Sequence, residues 1–89
     1  MSTDQKGKLT FPCEFTFKII GLANNEFEVA ALTIMRNHFP QLGEGAITSN
    51  LSKNGKYLAY TATVHVISQA QLDAAYKDLS AHPLVLFAL

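Results

Sequence analysis

Two stretches of the chain alternate between apolar and polar residues, which is typical of strands covered on one side only. The first covers residues 15–19 (FTFKI), and we expect Gly21 to end that strand. The second covers residues 57–66 and follows Asn54-Gly55, a pair that favours a two-residue type I′ hairpin turn. This turn predicts the facing pairs Leu51 with Leu58, Ser49 with Tyr60, and Ile47 with Ala62.

A helical pattern lies between these strands. Apolar residues recur at helical spacing from Phe27 to Met35. Asn25 and Glu28 have the spacing of a capping box, which predicts that Asn25 caps the helix start. Pro40 follows the pattern and ends the helix.

A second helical pattern begins after the hairpin. Ser68 and Gln71 form another capping-box pair, residues 72–79 carry one apolar face, and Pro83 cannot continue the helix. The final run, residues 84–89 (LVLFAL), is apolar without alternation. Because a strand covered on one side should alternate, we expect this strand to be covered on both sides.

The resulting order, β-α-β-β-α-β, predicts an α+β fold of the ferredoxin-like type, with a four-stranded antiparallel sheet. The first and third strands occupy its centre, and both helices cover one face. We expect residues 11–89 to form a single domain and residues 1–10, which are polar, to form a flexible N-terminal arm. The uncovered face of the sheet is then available to a partner.

The composition narrows the classes of function. Seven basic and seven acidic residues give zero formal net charge, so no basic surface favours nucleic acid. Cys13 is the only cysteine, which indicates a reducing compartment, and no apolar run is long enough to span a membrane. We therefore expect a cytoplasmic protein that binds neither nucleic acid nor membranes.

The junction after the first strand is the candidate ligand site. In one interpretation, Gly21, Leu22, Asn24 and Asn25 hold a carboxylate-bearing small molecule at the free N–H groups of the helix start. In the other, the glycine makes a turn and an asparagine caps the helix, as many strand-to-helix junctions require. No glycine-rich phosphate-binding motif is present.

Residues that could carry catalysis or bind a metal are scattered. His38, His65 and His82 lack neighbours at metal-ligand spacing, so we expect neither a metal nor another cofactor. Cys13 lies beside Glu14, whose charge disfavours a thiolate. We therefore expect a protein that is not an enzyme.

Two known uses of this fold are also disfavoured. Acylphosphatase-like enzymes need an arginine in the loop after the first strand, whereas the only arginine, Arg36, lies inside the first helix. RNA-binding versions stack bases on outward aromatic residues of the central strands. The outward positions here are Thr16, Lys18, Thr61 and Thr63.

A family resemblance accompanies these patterns. The stretches LTFPCEFTFKIIG and KNGKYLAYTATVHVISQAQLDAAYKDLSAHPLV resemble the YbeD family of small uncharacterised bacterial proteins. That resemblance implies a fold similar to ACT regulatory domains, which hold effectors near the loop after the first strand. It also implies a link to lipoate biosynthesis through genomic neighbourhood.

Together these features favour a non-enzymatic regulatory or adaptor domain that self-associates, or binds another protein, through its uncovered face or edge. His65, Leu84 and Leu86 are the predicted partner-facing residues. The alternative is a sensor of amino acids or other carboxylates at the loop after the first strand.

Overall fold

The computed structural model describes residues 10–89, so the predicted arm lies outside the described residues except for Thr10. The predicted α+β fold and element order are confirmed. The elements are β1 (Cys13–Leu22), α1 (Asn25–His38), β2 (Ile47–Leu51), β3 (Tyr57–Val66), α2 (Gln69–Ala81) and β4 (Val85–Ala88), with one 3-10 turn at Glu44–Ala46.

The four strands form one antiparallel sheet in the order β2-β3-β1-β4, with β1 and β3 at its centre as predicted. The predicted hairpin register is also confirmed, since Ile47 pairs with Ala62 and Leu51 with Leu58. The predicted turn type is wrong. A type I′ turn needs two positive φ angles, and among the described residues only Gly55 has one, at 74°.

Both helices cover the same side of the sheet. Alternate residues of β1 and β3 are buried towards them, and the helices supply the other half of the core. The core residues from α1 are Phe27, Ala31 and Met35, and those from α2 are Leu72, Ala75 and Leu79.

Of the two predicted helix caps, the cap of α2 is confirmed and the cap of α1 differs by one residue. Ser68 caps α2, because its Oγ accepts a hydrogen bond from the Gln71 N–H at 3.2 Å. The predicted cap of α1, Asn25, is wrong by one residue. Asn24 is the cap, since its Oδ1 accepts from the Phe27 N–H at 2.7 Å.

The expectation that β4 is covered on both sides is wrong for the single chain. Val85 is buried beneath the helices, whereas Leu86 and Phe87 are exposed on the other side. A β-bulge shifts the pairing register between Ile20 and Gly21, which places two consecutive β4 side chains on one face. This bulge, rather than cover from two sides, accounts for the missing alternation.

Leu51 lies on the helix side of the sheet opposite Leu58, as the register predicts, yet it is 63% exposed while Leu58 is buried. The reason is its position on β2, which lies at the edge of the sheet and pairs only with β3.

Candidate functional site: the open face of the sheet

The sheet face away from the helices, here called the open face, carries a cluster of apolar side chains. Ile20 pairs with Ala59 on one side and with Phe87 on the other, and Leu22 pairs with Tyr57. We use the name apolar strip for Ile20, Leu22, Tyr57, Leu86 and Phe87. In the described chain, Leu86 and Phe87 are each 52% exposed, so a large part of the strip contacts solvent.

The apolar strip borders a shallow hollow of about 510 Å³. Leu86 and Phe87 of β4 lie at one side of this hollow, and Asn50 and Ser52 lie at the other. Its lining is therefore mostly apolar, with a few hydrogen-bonding groups at one border. A mostly apolar lining with a few polar groups is common to recognition surfaces and ligand pockets.

The other half of the open face is polar. Thr16 and Thr63 hydrogen-bond across β1 and β3 through their hydroxyl groups at 3.1 Å. Glu14, Lys18 and His65 are exposed beside them. The open face thus combines an apolar region with a polar region of mixed charge.

The structure explains why position 21 is glycine. A Cβ built on Gly21 would lie 2.4 Å from Cδ1 of Phe27 and 2.7 Å from the carbonyl oxygen of Leu84. The residue is buried inside β1, so it does not end the strand as predicted. The space beside its backbone is filled by the protein's own Phe27 ring, which leaves no room there for a ligand.

Of the remaining loop residues, Asn24 and Asn25 border one hollow, and Leu22 does not. Leu22 points to the open face, the Asn24 side chain is engaged as a helix cap, and Asn25 is exposed. A hollow of about 350 Å³ beside the loop includes Glu28, and the first turn of α1 also carries Glu26. These acidic residues already compensate the helix dipole and disfavour a carboxylate at this position.

The histidines lie in three separate surroundings. His38 Nε2 contacts Asp78 Oδ2 at 2.6 Å and joins α1 to α2, while His82 Nδ1 accepts from the Leu84 N–H at 3.1 Å. Only His65 is exposed on the open face. Among residues 10–89, no three histidine, cysteine, aspartate or glutamate side chains are grouped to hold a metal ion.

The predicted partner-facing residues separate in the structure. His65 and Leu86 lie on the open face, in its polar and apolar halves respectively. Leu84 is half-buried and packs against the core, because it precedes β4 in a turn beneath the helices. Leu84 is therefore placed away from the surface that the prediction assigned to it.

Two tyrosines, the buried Tyr60 and the half-buried Tyr76, have perturbed pKa values. Burial raises the pKa of Tyr60, the charge of Glu28 raises this pKa further, and Arg36 opposes the rise. Burial also raises the pKa of Tyr76. Both hydroxyl groups therefore stay protonated at neutral pH, as core side chains do.

Sequence reasoning did not single out three members of the apolar strip, namely Ile20, Tyr57 and Phe87, and it assigned Leu22 to a ligand site rather than to a partner surface. The missing alternation of the run LVLFAL was noticed, but it was attributed to cover on both sides. Phe87 could have been identified by listing the apolar strand residues that do not face the two helices.

A comparison with models of protein families assigns the chain to a family. Residues 6–89 match the model of DUF493, described as a protein of unknown function. The chain belongs to this family. The family is one of uncharacterised bacterial proteins, which agrees with the resemblance drawn from the sequence.

Individual relatives support the same assignment. A UPF0250 protein of Neisseria meningitidis is 41% identical over 86 residues, which cover 93% of this chain and 94% of the relative. A UPF0250 protein of Chromobacterium violaceum is 36% identical over 89 residues, with both chains covered completely.

The fold recurs in a solved structure. The solution structure of protein HP0495 from H. pylori matches with a TM-score of 0.70 at 17% sequence identity, covering 100% of this chain and 94% of that one. This similarity supports the fold. Within residues 10–89, no helix has the length and apolar character needed to cross a bilayer.

Proposed function

We propose that this protein is a non-enzymatic regulatory or adaptor domain that associates with another protein through the apolar strip. The observation that carries this proposal is the exposure of Leu86 and Phe87, adjacent on one strand, on a face that no element of residues 10–89 covers. Contiguous exposed apolar surface of this kind marks interaction sites.

The size of the apolar strip suits a modest interface. Five side chains, about half exposed, offer roughly 400 Å² of apolar surface. A stable complex buries about 800 Å² on each partner, so the polar half of the open face must contribute the rest. His65 and Lys18 are the exposed groups placed to do so.

The scattering of reactive groups supports a role without catalysis. His38 and His82 are each held by a hydrogen bond on the helix side of the molecule, whereas His65 is exposed on the open face, where Glu14 is its cross-strand neighbour. A general acid or base must act beside a second functional group, and no such pair lies at the hollow of the open face.

The family resemblance suggests which partners to test first. It implies a link to lipoate biosynthesis, so we propose enzymes of lipoate metabolism as the first candidates. The chemistry of the apolar strip requires that such a partner present an apolar patch with a polar rim.

The sensing alternative predicts a ligand at the loop containing Asn24 and Asn25. The hollow of about 350 Å³ beside this loop favours it, whereas the neighbouring Glu28 opposes a carboxylate. Thermal-shift measurements with amino acids, lipoate and other carboxylates test this alternative. Saturable stabilisation that is lost in an Asn25→Asp variant would favour sensing over association.

Capture of partners from the native cell, followed by reconstitution with the purified partner, tests the association proposal. The informative variant is Phe87→Glu, and its matched control is Val29→Glu, because Val29 is 57% exposed on α1, away from the open face. We expect wild type and Val29→Glu to bind the same protein and Phe87→Glu to lose at least about tenfold in affinity. Equal binding by the two variants would contradict the proposal.

A further inference from the structure

The outer edge of β2 is a second surface suited to association. β2 pairs with β3 and with no other strand among residues 10–89. Ile47 is half-buried, and the next four residues of the strand are exposed. The N–H and C=O groups that point away from β3 form an edge to which a further strand can be added.

The two edges of the sheet differ in how they are protected. Natural edge strands avoid pairing by being short, by carrying charges or proline, or by containing a bulge. Both edge strands are short, with five residues in β2 and four in β4, but only the pairing of β4 with β1 is interrupted by a bulge. β2, with the sequence ITSNL, has no charge, proline or glycine. β2 is therefore the unprotected edge.

We propose that a second copy of this chain adds its own β2 to this edge, antiparallel and centred on Ser49. The two sheets would then form one eight-stranded sheet about a two-fold axis. This inference does not depend on the proposed function, because the residues that carry it belong to β2 and not to the apolar strip.

The sequence of β2 is complementary to itself in this register. Ser49 faces Ser49 of the second copy, Ile47 faces Leu51, and Thr48 faces Asn50. The Ile47–Leu51 contact forms twice on the helix side, and it covers Leu51, whose side chain is 63% exposed in the single chain. The Thr48–Asn50 pair brings a hydroxyl group and an amide together on the open face, where they can hydrogen-bond.

Electrostatics do not oppose this pairing. β2 contains no ionisable residue, and the chain has seven basic and seven acidic residues. The acidic residue that lines the hollow beside Ser49 and Leu51 is Glu28 of α1. Glu28 belongs to α1 and lies outside β2, the strand that would form the pair.

Pairing through β2 would also affect how the protein binds a partner. A two-fold axis perpendicular to the sheet keeps both open faces on the same side. Two apolar strips would therefore be presented together, and a partner that contacts both would gain avidity.

Charge substitutions at Thr48 and Asn50 test the register, with the mass in solution measured by sedimentation equilibrium. In the T48K/N50K variant each lysine faces a lysine, so we expect a monomer where the wild type is a dimer. In the T48K/N50E variant each lysine faces a glutamate, so we expect the dimer to persist. A monomeric wild type, or the same mass for both variants, would overturn the proposal.

Cross-linking gives an independent measurement at the two-fold axis. In a Cys13→Ser background, a Ser49→Cys variant should form a disulfide-linked dimer under mild oxidation, because facing Cβ atoms lie about 5 Å apart. Ser80→Cys on α2 is the control, since Ser80 is exposed and far along the chain from β2. Equal cross-linking of the two variants would contradict the pairing.

The two proposals fail separately. Phe87→Glu should leave the dimer mass unchanged while it removes partner binding. Ser49→Lys places two lysines at the two-fold axis on the helix side, so it should remove the dimer, while the open-face hollow, which Ser49 does not line, still binds. If Phe87→Glu instead made the protein monomeric, copies would associate through the open face and the β2 pairing would be wrong.

Discussion

The two faces of the sheet carry similar apolar residues in opposite situations. On the helix side, Phe17 and Ile19 are fully buried, and packing is so close that Gly21 has no room for a Cβ. On the open face, Leu86 and Phe87 are half exposed. Apolar surface on the helix side stabilises the fold, whereas the exposed residues stabilise the single chain little and are therefore free to serve association.

The comparison shows why apolar content alone did not reveal the role of each residue. Phe17 and Phe87 are the same residue type on neighbouring strands of one sheet. Their difference comes from which face each occupies, and that is set by strand register and by the bulge at Ile20 and Gly21.

The sharpest contrast should come from truncating one phenylalanine on each face. Phe17→Ala removes a fully buried ring and should lower the free energy of unfolding by about 3–5 kcal/mol. Phe87→Ala should lower it by less than about 1 kcal/mol, because that ring is already half in water. Urea denaturation measures both, and similar losses would break the distinction between the faces.

Adding a methyl group at position 21 tests the packing on the helix side. Gly21→Ala should lower the free energy of unfolding by about 1–3 kcal/mol, because the new Cβ meets the Phe27 ring. Gly43→Ala is the control, since a Cβ there has no heavy atom within 4 Å. If both variants were as stable as wild type, the explanation of Gly21 would be incorrect.

The cap of α1 distinguishes structural from ligand-binding asparagines. Asn24→Ala should cost about 1 kcal/mol of stability, because the Phe27 N–H loses its acceptor. Asn25→Ala should be near neutral, since Asn25 is exposed in the first turn. If Asn25→Ala lost more stability than Asn24→Ala, Asn25 would be the cap, as the sequence predicts.

Alkaline pH should slightly lower the free energy of unfolding through the ionisation of Tyr60 on the helix side. The folded pKa of Tyr60 is raised, so its neutral form stabilises the fold fully below the ordinary tyrosine pKa of about 10. That contribution falls as the pH rises from there through the folded pKa. Tyr60→Phe should therefore flatten the decline of stability above about pH 10, and an unchanged decline would show that Tyr60 has no part in it.

Local signals predicted most of the fold. Alternation placed β1 and β3, and the Asn54-Gly55 pair correctly aligned Leu51 with Leu58 although the turn type differs. The cap was displaced because Asn24 and Asn25 are adjacent and equally capable of capping. Such signals depend on residues close together in the chain.

What could not be predicted depends on distant contacts. Gly21 is required by a ring from α1 and a carbonyl before β4, and neither contact is visible in the local pattern. The bulge that exposes Leu86 and Phe87 arises from pairing between β1 and β4, which are separated by most of the chain. The candidate surface therefore appeared only with the three-dimensional register.

The most direct test of the central claim compares the accessibility of the two sides inside the native cell. In a Cys13→Ser background, Phe87→Cys and Val29→Cys variants are labelled with a maleimide, both in intact cells and as purified proteins. If the open face is an association surface, Phe87→Cys will be protected in cells and reactive when purified, while Val29→Cys will react in both. Equal labelling of both variants in cells would contradict the account.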